Sequence, residues 1–292
     1  VSALKLLAEV ASKTDNVIKY VFELSDGAIM EVSTINKGDG KWSICLPTHT
    51  ACNMGCRFCL MTEIAVPSRP LLYQEMIDAI RYSVLYGPFH APTLLISFMG
   101  CGEPLLNTAS IIRVMEKLNC WRNEKFSNIR FAIATMLPRA RLLDEFAHEV
   151  NRFTLNVKVH LSLHGTTTDT RRHLIPASKA SPRESVEALR RYRDVTGRRI
   201  EIHYTLISGI NDSFEDATAL RDLLRGTGIS VCFIRFNEGA DKDLYRSVDT
   251  DRFRNFLHAN GIESESYTPP GADIGASCGQ FTKTYYQRWT IA

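Results

Sequence analysis

Three cysteines fall within eight positions of one another in THTACNMGCRFCLM, residues 48–61, whereas the other five lie scattered through the 292-residue chain. Cys52, Cys56 and Cys59 form a Cys-x3-Cys-x2-Cys loop. Thiolates bind zinc or iron–sulfur clusters, and their spacing helps to separate the two. A closed zinc site draws on four ligands, usually as two Cys-x2-Cys-like pairs, and this loop supplies one compact set of three. Three thiolates on a four-iron cluster would leave one iron open to another ligand. A zinc clip and three unrelated packing thiols are the competing readings at this spacing.

Other residues of chemical interest sit singly. Taken alone, Cys45 in an apolar run reads as a core thiol, Glu31 near a hairpin as a solvated charge, and His164 as an ordinary strand-end histidine. Cys278, flanked by small residues in GASCGQ, is less core-like. Cys120, in a helical stretch, and Cys232, in a strand, read as packing residues.

These side chains need a scaffold, and hydrophobic periodicity supplies one. Residues 1–16 read as a short helix, and IKYVFELSDGAIMEVSTI as a hairpin turning at Asp26-Gly27. From residue 43 the pattern becomes short apolar runs alternating with helical stretches. The strand candidates are WSICLP, TLLISFMG, IRFAIATM, LNVKVHLSLHG, IEIHYTLI and ISVCFIRFN. Among the helices, YQEMIDAIRYSVLYG and SPRESVEALRRYRDVTG stand out, the second with Ser181 as N-cap, Pro182 in the first turn and Glu184 completing a capping box. Six such units predict a parallel α/β sheet closed or partly closed into a barrel. Parallel α/β folds build sites at the carboxyl ends of their strands. There the sequence places the three thiols, Gly-Cys-Gly-Glu-Pro (100–104), Ser162-Leu163-His164 and Asn237, facing one mouth.

The chain is 45% apolar with a net charge of +3 and a pI near 8.4, short of the charge excess of an obvious nucleic-acid binder. It contains no apolar run long enough to span a membrane, and its first 25 residues lack the order of a secretory signal. The expected compartment is the cytoplasm, where thiols stay reduced.

Cys-x3-Cys-x-aromatic-Cys, with Phe58 as the aromatic, resembles the signature of radical S-adenosylmethionine (SAM) enzymes. ELSDGAIMEV, CNMGCRFC, FMGCGEPLLN, LSLHG, LISGINDS, Phe236-Asn237 and DIGASCGQ narrow the resemblance to the RlmN/Cfr methyl-synthase family, in order and spacing over residues 15–282. That family methylates adenine ring carbons in ribosomal RNA and, in one branch, tRNA. The resemblance implies a partial (β/α)6 radical SAM barrel over residues 43–270, an N-terminal extension over 1–42, and a C-terminal loop and tail over 271–292.

It further implies a 4Fe–4S cluster on Cys52, Cys56 and Cys59, with SAM chelating the open iron, and two SAM molecules per turnover. Glu103 would hold SAM's amino group, with Gly102, Ser162, Leu163, His164, Asn237 and Phe58 around the same cofactor. One SAM would methylate Cys278, and a 5'-deoxyadenosyl radical from the second would activate that methyl for addition to the base. Cys45 would then attack the Cys278 sulfur, releasing product as a disulfide forms, while Glu31 accepts a proton. A reductase such as flavodoxin or ferredoxin would supply the electron, and the enzyme would act as a monomer.

The match departs from the family in places. Cys101 replaces a usual Met, and Ala134-Thr135-Met136 replaces a Ser-Thr-Ser-like strand end that contacts SAM. The family's amino-terminal accessory domain, associated with RNA binding, would end about where this chain begins. Arg171 and Arg172, and the helix with Arg190, Arg191 and Arg193, form basic clusters that suit either a solvated face or phosphate contacts. Two other functions compete with RNA methylation: the same chemistry on a free nucleotide or other heteroaromatic small molecule, and a non-catalytic metal-stabilised RNA-binding or redox-sensing protein.

Overall fold

The computed structural model describes residues 4–36, 38–88, 90–120, 126–237 and 241–287. Its ten strands are β1 (Lys5–Ala11), β2 (Val17–Glu23), β3 (Ile29–Asn36), β4 (Lys41–Cys45), β5 (Thr93–Phe98), β6 (Asn128–Thr135), β7 (Val157–Ser162), β8 (Ile200–Tyr204), β9 (Ser230–Ile234) and β10 (Ser264–Tyr267). They form one sheet in sequence order, antiparallel from β1 to β4 and parallel from β4 to β10. The helices are α1 (Tyr73–Tyr86), α2 (Thr108–Asn119), α3 (Ala140–Arg152), α4 (Thr168–Leu174), α5 (Pro182–Thr196), α6 (Phe214–Leu224), α7 (Thr250–Ala259) and α8 (Lys283–Gln287). The first seven join successive parallel strands, as parallel pairing requires. This is the partial barrel expected from sequence, with one strand more: β10, which pairs with β9, was not among the six candidates.

Strand alternation sorts the two faces. Ile44, Ile96, Ile133, Leu161, Ile202 and Phe233 point outward into the main core beneath the helices. Cys45, Ser97, Ala134, Ser162 and His203 occupy the opposite face and line the barrel interior. Helix α5 ends as its sequence predicts: Ser181 and Glu184 bond reciprocally, at 2.8 Å from the Ser181 N–H to the Glu184 carboxylate, and Gly197 closes the C-terminus at φ 65°.

The opening segment departs from expectation. Within its described residues KLLAEVA forms strand β1, not a helix, antiparallel to β2 with a register shift between Leu6 and Ala8. Ala, Leu, Lys and Glu favour a helix locally, but the free edge of β2 offers backbone partners to any extended segment beside it, and this non-local pairing wins. Cys120 is also corrected. It is the exposed C-cap of α2, while Cys232 is buried in β9 as expected.

The N-terminal strands hold the C-terminal segment against the barrel. Asp15 accepts the Gly271 N–H at 2.8 Å, and Asp273 accepts the Ser12 hydroxyl at 2.7 Å and the Lys13 N–H at 2.8 Å. Lys19, 1% exposed in β2, donates to the Gly275 carbonyl at 3.3 Å and to the Thr282 hydroxyl at 2.5 Å.

Candidate functional site

Cys52, Cys56 and Cys59 sit on the loop leaving β4, at the carboxyl end of the parallel strands. The loop is tightly bonded: the Cys56 carbonyl accepts the Cys59 N–H at 3.0 Å and the Thr62 hydroxyl at 2.7 Å, and the Arg57 N–H reaches the Leu174 carbonyl at 3.1 Å. Burial is the main cause that raises all three thiol pKa values, Cys59 to about 12, and each thiol's neighbours add repulsion. Three such thiols resist ionising together unless a cationic centre takes them. The three thiols share one loop and face one cavity, the donor set of a cluster held by three thiolates.

Glu103 stands over this loop. Glu103, 4% exposed, accepts the Leu105 N–H at 3.0 Å and the Thr135 hydroxyl at 2.7 Å on one oxygen, and the Met136 N–H at 3.0 Å on the other. Burial nevertheless lifts its pKa to about 7. The unusual Ala134-Thr135-Met136 strand end therefore has a defined task in this chain, fixing the Glu103 carboxylate. The preceding glycines are steric requirements. At Gly102, with φ 95°, a Cβ would stand 2.4 Å from His49 Nδ1, and at Gly100 it would stand 2.9 Å from the Pro47 backbone nitrogen.

Across the mouth, Arg171 corrects its reading as a solvated or phosphate-binding charge. It is 1% exposed and donates to the carbonyls of Ser162 at 2.7 Å, Leu163 at 2.5 Å and Met136 at 2.5 Å, tying the ends of β6 and β7 together. Nor is the other basic cluster uniformly free, since Arg191 pairs with Asp144 at 2.9 Å and Arg193 donates to the Thr227 carbonyl at 2.8 Å. His164 adopts φ 52°, and its Nδ1 accepts the Thr205 N–H at 2.9 Å. Burial drives its pKa down to about 3, so the ring is neutral, and Phe58 meets it edge-on at 4.7 Å between centroids.

The C-terminal loop forms the remaining wall. The Leu60 N–H donates to the Gly279 carbonyl at 2.9 Å, and Asn237 Nδ2 donates to the Cys278 carbonyl at 3.0 Å. Gly279, at φ 75°, lies so close that a Cβ would meet the Phe58 carbonyl at 3.3 Å. Glu31 is buried, contrary to its isolated reading: it pairs with Lys19 at 3.1 Å and accepts the Thr282 N–H at 3.1 Å. Burial raises its pKa against the pull of Lys19.

A cavity of about 300 Å³ joins these parts, lined by Cys52, Cys56, Cys59, Glu103, Cys45 and Cys278. Phe58, Gly102, Ser162, His164, Asn237 and Glu31 also face it, as does Cys101. Leu163 does not: its side chain is fully buried in the main core, leaving its backbone as the part near the mouth. Burial pushes the Cys45 thiol up to about 12, and the nearby Cys278 adds to the effect. All eight cysteines are free thiols in this structure. Sequence reasoning missed Lys19 as a site residue, although a lysine inside the run VIKYVF was a signal.

The sequence matches the radical SAM superfamily over residues 46–221. It is 32% identical over 283 residues to a protein of Lachnospira eligens named "Probable dual-specificity RNA methyltransferase RlmN", covering 94% of this chain and 77% of that one. Proteins of the same name from Thermosipho melanesiensis and Thermotoga neapolitana are each 34% identical, covering 96% and 95% of this chain and 80% and 79% of theirs. Among solved structures, a radical SAM methyltransferase from Sphaerobacter thermophilus superposes with a TM-score of 0.83 at 29% identity, covering 97% of this chain and 82% of that one.

Proposed function

Since the chain belongs to the RlmN family of radical SAM methyltransferases, we propose that it methylates a ring carbon of an adenine base in RNA by way of Cys278. The observation that carries this reading is the meeting of two kinds of cysteine on one cavity: the loop of Cys52, Cys56 and Cys59, and the separate pair Cys45 and Cys278. A protein that merely folded around a metal would have no use for the second set.

The three loop cysteines would hold the 4Fe–4S cluster, and Glu103 would accept a hydrogen bond from the amino group of SAM. When bound, cluster and SAM supply reductive cleavage to a carbon-centred radical able to take hydrogen from an unactivated methyl group. The protein's own residues do the rest. Cys278, exposed on its loop, would accept and carry a methyl group. Cys45 waits as a protonated thiol at the end of β4; once deprotonated it would attack the Cys278 sulfur, forming a Cys45–Cys278 disulfide as the bond from that sulfur to the transferred carbon breaks, and that carbon would take a proton to leave as the product methyl. Glu31, whose pKa is raised by burial, is the proton acceptor in this scheme. A one-electron donor of the flavodoxin or ferredoxin class completes the cycle. Among the described residues no helix is long and apolar enough to cross a membrane, and the reduced thiols this chemistry needs favour the cytoplasm.

The test is an anaerobic assay of the reconstituted protein on tRNA, ribosomal RNA and free adenine nucleotides, with mass analysis of the Cys278 peptide. A methylated adenine in one RNA and a methyl mass on Cys278 are expected. Product from the free nucleotide alone would remove RNA as substrate, and SAM turnover without methyl on Cys278 would remove the mechanism.

A further inference from the structure

A second set of ligand-type side chains lies inside the barrel and takes no part in the chemistry above. Lys158 and His160 of β7, and Glu201 and His203 of β8, project from the face opposite the helix-packed core. His160 stands beside Glu201 in the strand register, and His203 stands beside Cys232 of β9.

The side chains converge. His160 Nδ1 is 3.0 Å and His203 Nε2 3.8 Å from the same Glu201 oxygen, the two rings are 4.2 Å apart, and the three ligand atoms all lie within 4.8 Å of one another. Zinc bonds of about 2.0–2.1 Å to nitrogen and oxygen imply ligand atoms about 3.3–3.4 Å apart around a tetrahedron. The observed separations bracket that edge. His160 is only 8% exposed, and despite its closeness to Glu201 its Nδ1 makes no aligned hydrogen bond. A buried imidazole nitrogen set against a carboxylate oxygen without a proton in line between them is how two ligands of one cation sit.

Glu201 has other partners. Lys158 Nζ donates to the same oxygen at 2.9 Å, and the Ser230 hydroxyl to the other at 3.3 Å. Lys158 is one-third exposed, so its ammonium can turn into solvent and release that oxygen. Glu201 also lies within 4.8 Å of Cys232 and Glu265, which adds donors on its far side.

We propose that His160, Glu201 and His203 form a binding site for a divalent transition-metal ion of the zinc class, separate from the cluster loop. Two imidazoles and one carboxylate suit zinc and disfavour magnesium or calcium, which take oxygen ligands. His203 also lines the central cavity, so a bound ion would fix that part of its wall.

The experiment titrates zinc into the anaerobically reconstituted, cluster-bearing full chain, counts zinc and iron by mass spectrometry, and records zinc X-ray absorption. One zinc per chain is expected above the iron content, with a nitrogen and oxygen first shell and imidazole scattering. His160→Gln together with His203→Gln should weaken zinc binding about a hundredfold at unchanged iron content, and Lys158→Met should tighten it about tenfold. A sulfur-dominated shell, zinc retained by the double variant, or no gain in Lys158→Met would each overturn the proposal. Because Lys158→Met keeps both histidines and reads a gain, it decides the matter even where the double variant fails to fold.

Discussion

Replacing Glu103 by glutamine preserves its shape and removes its charge. In the native site the carboxylate takes three protein donors, from Leu105, Thr135 and Met136, and lies on the cavity wall where the amino group of SAM would be held. A hydrogen bond to a charged group contributes about 1.5–3 kcal/mol. At about 1.4 kcal/mol per decade, Glu103→Gln should weaken SAM binding roughly 10- to 150-fold. The pKa near 7 adds a signature. About nine-tenths of Glu103 is ionised at pH 8 and about one-tenth at pH 6, so the ratio of variant to native dissociation constants should fall from about 9–140 at pH 8 to about 2–15 at pH 6. Taking the ratio cancels any titration of SAM itself. The sign for stability is opposite. With its folded pKa above the ordinary carboxyl value of 4.5, Glu103 keeps a proton that the unfolded chain has lost, so its contribution to stability declines as pH rises from 4.5 through about 7. Equilibrium SAM binding to the anaerobic, cluster-loaded protein, followed by changes in the cluster spectrum, reads the first effect. A Glu103→Gln protein that binds SAM within twofold of native at pH 8 would refute the assignment of this carboxylate.

Arg171→Met orphans three buried acceptors at about 1–3 kcal/mol each, so a loss of about 3 kcal/mol or more is expected in anaerobic urea unfolding; an unchanged midpoint would contradict the strap. Lys19→Met leaves Glu31 buried without its cation, a loss of about 3–5 kcal/mol, and should speed proteolytic cutting in residues 271–282 while leaving the cluster loop protected. Cys278→Ala should keep reductive SAM cleavage and lose methyl transfer, whereas Cys45→Ala should accumulate a covalent protein–RNA adduct visible on denaturing gels. Normal turnover in Cys45→Ala would exclude its role in product release.

The parts of this molecule that the sequence disclosed are those whose physics is local. Strands β4 to β9 carry alternate apolar residues that pack beneath the helices, and the capping box of α5 lies within four residues. Strand β10 escaped notice because SESY is short and polar, and its place is fixed by backbone pairing to β9. β1 was read as a helix because its residue types favour one, while its actual partner is a separate strand. Within the site, cysteine spacing pointed to the cluster loop, and the family resemblance to Glu103. Arg171 looked like surface because TRRHL is polar, and only the packing of α4 over the strand ends turns the guanidinium inward. Glu31 looked solvated for the same reason, since the lysine that accompanies it into the interior lies on the neighbouring strand.

The bonds from β2 and the turn before it to the C-terminal segment also set an order of assembly. Lys19 and Thr282 are 263 positions apart, so the nascent chain presents Cys52, Cys56 and Cys59 long before the wall bearing Cys278 has left the ribosome. Iron and sulfide delivered early meet an open trough; delivered late, they must pass a flap already latched at Asp15, Lys19 and Asp273.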